Sequence, residues 1–249
     1  MRLTTKICWL FLLLCHLYAP DTQGQPIARD SPSVADGYAD ALTFYHAYLT
    51  PETRLYRGPE YLVYDRLLRD GHPYYGENSK RPGTVYYDGI FYDHVLLRYD
   101  IVLDLVVLQD PYNVFRIAMI SDLLDSFTIE DHFFIHLTDS LNPSQPRNGF
   151  YERLYKGRIE LLKREKKIVQ EDLYSSDHVE RFIDRTDSSY YLRMGKVYHT
   201  VNNNKSLLYA LKDRKKEVRK FIRTNHLSMR KDRENTLIKV TAWYDNPAH

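Results

Sequence analysis

Cysteine is nearly missing from this chain of 249 residues: the only two are Cys8 and Cys15. Both lie in the one long apolar run, residues 7–19, which stands behind Arg2 and Lys6 and gives way to Asp21, Thr22, Gln23 and Gly24. That run is short for a bilayer-spanning helix and has the charge order of a secretory signal. Thr22 and Gly24 are the small residues before a cut at Gln25, so residues 1–24 read as a signal peptide. A lipoprotein cut at Cys15 would place bulky Leu14 where a small residue is wanted. The expected mature chain, 25–249, has no cysteine, which excludes a disulfide framework, a thiol nucleophile and a Cys-based zinc site. The expected location is exported: periplasmic, outer-envelope associated or secreted, with no transmembrane span once the signal is removed.

Catalytic signatures are also lacking. The chain has no Gly-x-Ser-x-Gly elbow, His-Glu-x-x-His helix, Walker phosphate loop or Rossmann glycine pattern. His132 and His136 have the spacing of helical metal ligands, but they flank Phe133-Phe134-Ile135, whose composition favours a strand. Four residues of strand span roughly 13 Å, too far for one shared ion, so both read as histidines on a sheet face. Asp88, Asp93, Asp100 and Asp104 recur through the first hairpins without marking out an acid/base pair. No catalytic residue, cofactor or metal is therefore assigned from the sequence.

What is present is charge, unevenly divided. The chain as a whole carries a net +2, yet residues 25–150 hold 10 Lys+Arg against 18 Asp+Glu, and residues 151–249 hold 23 against 14. The halves could dock on each other, carry solvated faces, or let the basic half meet an anionic partner. Lys212, Arg214, Lys215, Lys216, Arg219, Lys220 and Arg223 crowd the C-terminal segment and are the candidate anion-contacting residues. Export argues against nucleic acid. The remaining partners are another envelope protein with an acidic surface, an anionic glycan or lipid phosphate. Tyrosine, with 22 copies, is the other excess. The adjacent pairs Tyr74-Tyr75, Tyr86-Tyr87 and Tyr190-Tyr191 would place one ring in the core and one outside if they lie in strands.

Periodicity divides the mature chain into four parts. Tyr38, Leu42, Tyr45 and Leu49 recur at helical spacing, so a helix is expected over 33–50, closed by Pro51. Residues 51–82, rich in Pro, Gly and Tyr, read as an irregular connection. From 83 to 201 the pattern is mostly β. Asp88-Gly89 is a tight-turn dipeptide between strands at 84–87 and 90–92. Further strands are expected at 95–102, 105–108, 114–120, 127–137, 150–155, 158–163, 190–193 and 196–201, with 166–187 as a long polar loop, in part helical. Residues 205–245 read as helical, with Ser206, Asp213 and Asp232 as caps, although 238–243 also alternates as a strand would. Phe91, Leu97, Val106, Ile117, Phe127, Phe134 and Ile159 are the expected core.

Several segments together resemble a family of uncharacterised secreted and envelope proteins common in Bacteroidetes-type bacteria. They are Leu55-Tyr56-Arg57-Gly58-Pro59-Glu60-Tyr61, Gly71-His72-Pro73-Tyr74-Tyr75, Gly83-Thr84-Val85-Tyr86-Tyr87-Asp88-Gly89, and Tyr99-Asp100 with Asp104. The resemblance continues through Asp125-Ser126-Phe127, Gly149-Phe150-Tyr151, and Lys205-Ser206-Leu207-Leu208 leading into Lys212-Asp213-Arg214-Lys215-Lys216-Glu217. It implies an envelope or secreted location and the same β-then-helix order, and it brings no activity or site residue.

The expected fold is one α+β domain: an N-terminal helix, an antiparallel meander forming a roll, partial barrel or sandwich, and basic helices at the C-terminal end. The expected function is a non-enzymatic macromolecule-binding or envelope accessory protein. The alternatives are a carrier of an apolar or lipid ligand in a curled sheet and a glycan or peptide hydrolase.

Overall fold

The structure is a computed structural model that describes residues 51–62, 68–110, 115–138, 146–175 and 178–246. These belong to one of the two units into which the chain divides, residues 49–249. The helix expected over 33–50 and the signal segment lie outside the described residues.

After a short 3₁₀ helix (Pro51–Tyr56), eleven strands follow among the described residues: β1 (Leu68–Asp70), β2 (Arg81–Tyr87), β3 (Ile90–Asp100), β4 (Leu105–Gln109), β5 (Arg116–Ala118) and β6 (Leu124–Ile129). The rest are β7 (His132–Leu137), β8 (Gly149–Lys156), β9 (Ile159–Ser175), β10 (His178–Met194) and β11 (Val197–Thr200). Helices α1 (Asn204–Ala210), α2 (Lys215–Thr224) and α3 (Arg233–Asp245) complete the fold. The strands form one open sheet in the order β1-β10-β9-β8-β7-β6-β2-β3-β4-β5, with β11 beside β10. Every pairing is antiparallel except that of β1 with β10, so the molecule is α+β with a mainly antiparallel sheet.

Turn chemistry sets the registers. Asp88 and Gly89 take φ of 50° and 74°, the left-handed values a tight hairpin needs, and join β2 to β3 as the dipeptide predicts. The strands expected at 90–92 and 95–102 are one strand, β3, kinked at His94 (φ 55°) with a register shift opposite Gly83 and Val85. The expected strand 127–137 is two, β6 and β7, because Glu130 (φ 53°) turns the chain. Phe91 was expected in the core but is 62% exposed. The Asp88-Gly89 turn pairs Phe91 with Tyr86 on the outer face and Tyr92 with Val85 on the inner one, since neighbours on a strand point oppositely. The other six expected core residues are buried.

Of residues 166–187, expected as a loop, 166–175 and 178–187 are the outer parts of β9 and β10, each strand being 17 residues long. The two strands pair with each other through this region, and much of it is charged on both faces, so no apolar alternation betrays the strands. Cross-strand ion pairing replaces that alternation: Arg181 Nε lies 2.6 Å from Glu171 Oε1, and the two residues are register partners.

Two larger apolar cores lie against the sheet, with a smaller cluster of Tyr61, Tyr74, Val107 and Ala118 beside them. In the first, Phe127 stacks on Phe134 with ring centroids 4.7 Å apart, and Tyr75, Tyr99 and Phe150 meet this pair edge-on. In the second, Leu207, Leu211, Val218, Leu237 and Val240 from the helical segment cover Ile159, Leu161, Tyr190 and Leu192 of β9 and β10. Among the described residues, the helices therefore rest on strands of their own basic half, whereas docking on the acidic half was one of the uses open to the opposite charges.

Gly83 allows a close approach of two strands beside the first core. A Cβ there would stand 1.9 Å from the Thr128 carbonyl oxygen, an atom of the neighbouring backbone. Gly83→Ala is expected to destabilise the protein by about 1–3 kcal/mol, because β2 and β6 must part to admit one methyl group. A urea midpoint indistinguishable from wild type would rule this out.

Candidate functional site

The basic residues singled out in the sequence lie on α2 and on the turn that joins it to α1. Asn203 caps α1: its side chain accepts the Ser206 N–H, and Ser206 Oγ in turn accepts the Asn203 N–H. Ser206 is thus the third residue of a capping box and not the cap itself. A one-turn 3₁₀ helix, Lys212–Arg214, then redirects the chain into α2. Asp213, expected to cap α2, instead accepts a hydrogen bond of 2.7 Å from the Tyr244 hydroxyl. Burial, with that bond second, pushes the Tyr244 phenol up to about 12. Asp232 caps α3 as expected, and residues 238–243 are helical.

α2 is divided lengthwise. Val218 is buried and Phe221 and Ile222 are half-buried, with Phe221 stacked on Trp243 of α3 at 4.8 Å. Lys215, Lys216, Arg219, Lys220 and Arg223 are all exposed and, at 3.6 residues per turn, share an arc of about 140°. None of them has an ion-pair partner among the described residues, and no carboxylate of α2 falls in their arc. Glu217, the one acidic residue of α2, lies outside it and is taken by Arg214 at 2.8 Å. Arg214 itself does not join the basic face. Its guanidinium lies 4.6 Å from the Trp243 ring centre and 5.6 Å from that of Tyr244, so it holds α2 to α3. Six of the seven candidate residues therefore remain available to solvent: Lys212 on the turn and the five of α2.

Beside this face is an open groove of about 390 Å³. Its walls are Asn203, Lys205, Ser206, Leu208 and Tyr209 from α1 and its cap, and Lys212 and Lys215 from the turn and the start of α2. Tyr209 is 70% exposed. Sequence reading missed Lys205 and Tyr209 because it followed only Leu207, Leu208 and Leu211. The available signal was the spacing of Lys205, Tyr209 and Lys212, four and then three residues apart, which is one helical stripe.

The acidic and histidine candidates are dispersed into separate structural partnerships. Asp88 faces Arg54 at 3.5 Å, and Asp93 lies beside exposed His94. Asp100 is fully buried, accepts the Tyr61 hydroxyl at 2.7 Å and the N–H groups of Val102 and Leu103, and so closes the turn after β3. Asp104 accepts from Tyr99 and Arg164, both at 2.6 Å. His132 and His136 are on β7, a strand as expected. Nδ1 of His132 is 2.5 Å from Glu152 and 3.0 Å from the Tyr75 hydroxyl. The His136 ring packs on Phe150 at 4.7 Å, and burial lowers its pKa. Among the described residues, no group of three or more His, Cys, Asp or Glu could hold a metal ion.

Buried Glu152 opens a partly buried chain of charge that sequence reading did not find. Lys163 Nζ lies 3.6 Å from Glu152, 3.1 Å from Glu165 and 2.9 Å from Glu234 of α3. Burial alone would lower the lysine pKa, but the three carboxylates, Glu234 foremost, outweigh it and raise the pKa well above the ordinary value. The Tyr190 hydroxyl donates to Glu234 at 3.1 Å, and burial pushes this phenol up to about 12.

Comparison with protein-family models, curated proteins and solved structures finds no match to this chain. No helix among the described residues is long and apolar enough to cross a membrane.

Proposed function

We propose that this chain is an exported, non-enzymatic accessory protein of the cell envelope that docks on an anionic macromolecule through the basic face of α2. One observation carries the reading: five exposed cations share a single arc of α2 with no carboxylate in that arc and no ion-pair partner among the described residues. Such a face repels itself, and an anionic surface relieves the repulsion while drawing the partner in over roughly a Debye length. Export rests on the charge order and length of residues 1–24, and the envelope setting on the family resemblance.

Two features favour docking over the alternatives. The rings of Tyr75, Tyr99, Phe127, Phe134 and Phe150 pack against one another in the first core, so an apolar ligand held there would have to displace them. The carboxylates that a hydrolase would need are engaged separately by Arg54, Tyr61, Tyr99 and Arg164.

Charge reversal tests the proposal. Lys216→Glu, Arg219→Glu and Arg223→Glu together, in the mature chain, are expected to cut retention on immobilised heparin by at least about tenfold at low ionic strength. Thermal stability should change little because all three side chains are exposed. Wild-type protein that fails to bind any polyanion, or a triple variant that binds as wild type does, would overturn the reading.

A further inference from the structure

We infer that the groove between α1 and the Lys212–Arg214 turn is a subsite for an acidic polysaccharide, with Tyr209 as the stacking platform and Lys205, Lys212 and Lys215 as the contacts to its acid groups. This rests on the basic-face reading above and names the ligand class that face receives.

The first ground is the unusual position of Tyr209. On the seven-residue α1, Leu207 and Ala210 are buried against the second core, whereas the Tyr209 ring is 70% exposed beside a concavity. The groove, at about 390 Å³, is in the range of small-ligand sites and has room for a sugar unit. A pyranose presents an apolar C–H face that stacks on an aromatic ring, and its hydroxyl and acid substituents project from the edge. Three exposed lysines line the same groove, and none has an ion-pair partner among the described residues. The N-terminal turn of α1 is already capped by its own Asn203 and Ser206, so recognition falls to side chains and not to the helix end.

Continuity argues for a polymer. Lys215 belongs both to the groove and to the α2 face, which runs on to Arg223 over about 12 Å of helix axis. A chain leaving the groove therefore meets further cations, which suits a repeating anion better than a single charged sugar. The same features disfavour the other polyanions. Sequence-tolerant binding of single-stranded nucleic acid uses a succession of rings, and this groove has one. A membrane-surface helix would set large apolar side chains on the side opposite its lysines for insertion, but the apolar side of α2 is already packed, Val218 in the second core and Phe221 on Trp243.

The test is a titration of the mature chain with oligogalacturonate, run beside neutral dextran oligomers, oligo-dT and phosphatidylglycerol vesicles. Oligogalacturonate is expected to bind, with affinity falling about tenfold in Tyr209→Ala and further in Lys212→Glu/Lys215→Glu, while Tyr209→Phe binds as wild type does. Unchanged affinity in Tyr209→Ala, equal binding of dextran, or tighter binding of oligo-dT or vesicles would overturn the inference. In each of those cases, loss of binding in the α2 triple variant would leave the basic-face reading standing. A wild-type chain that binds no polyanion would remove both.

Discussion

Replacing Lys163 with methionine is expected to cost about 3–5 kcal/mol of stability, the range seen when one member of a buried ion cluster is removed. The lysine side chain is only 11% exposed and is the cation shared by Glu152, Glu165 and Glu234. Methionine keeps most of the volume and leaves the buried Glu152 carboxylate facing two others without their counter-charge. The contact with Glu234 also ties α3 to β9, so the damage should loosen the helical layer first. A second change, Glu152→Gln, should restore part of the loss by removing the most buried of the three charges. The pH dependence follows from the raised lysine pKa. The stabilisation is fully present below the ordinary lysine value of about 10.4 and is lost as pH rises through the higher folded value. The gap between wild type and Lys163→Met in urea unfolding should therefore be widest near neutrality and narrow in strong alkali. A neutral-pH gap below about 1 kcal/mol would refute the cluster's role.

Asp104→Ala is the second large effect expected, again about 3–5 kcal/mol, because it strands a guanidinium that is only 10% exposed. Asp104 Oδ2 receives Arg164, Oδ1 receives Tyr99, and the Arg164 Nη1 reaches on to the Tyr151 hydroxyl at 3.1 Å. This knot joins the turn after β3 to β8 and β9, strands far apart in the sheet order. Asp104 also sits at φ 62°, a left-handed backbone that alanine accepts less readily than aspartate or asparagine. Asp104→Asn should therefore lose less than Asp104→Ala, keeping the backbone and part of the hydrogen bonding. Equal losses in the two variants, measured by urea midpoint, would contradict the backbone part of the argument.

The glycine-bearing hairpin turns were legible in the sequence because their chemistry is local. Asp88-Gly89 specifies its own φ angles, and Gly195 does the same between β10 and β11. The Asp232 cap of α3 was legible for the same reason. The ribbon of β9 and β10 across 166–175 and 178–187 was not, because charged residues lie on both faces and the period-2 signal depends on one face being wholly apolar. Arg214 was counted with its cationic neighbours since composition cannot distinguish a lysine in water from an arginine lying over Trp243. Tyr209 was passed over because a ring at helical spacing looks the same whether it packs inward or faces a groove.

The amino-acid sequence by itself determined the glycine-bearing turns, six of the seven expected core positions, the order of strands before helices, and the crowding of cations near the C-terminus. Each depends on neighbouring residues and on apolar periodicity, which are written along the chain. Tertiary structure decided that β2 pairs with β6, that β1 joins β10 in parallel, that Lys163 is shared by three carboxylates, and that Tyr209 overlooks a lysine-walled groove beside α2. Those contacts join residues far apart in the chain or depend on how helices turn relative to one another, and their energies come from burial and charge neutralisation that exist only once the sheet and helices have met.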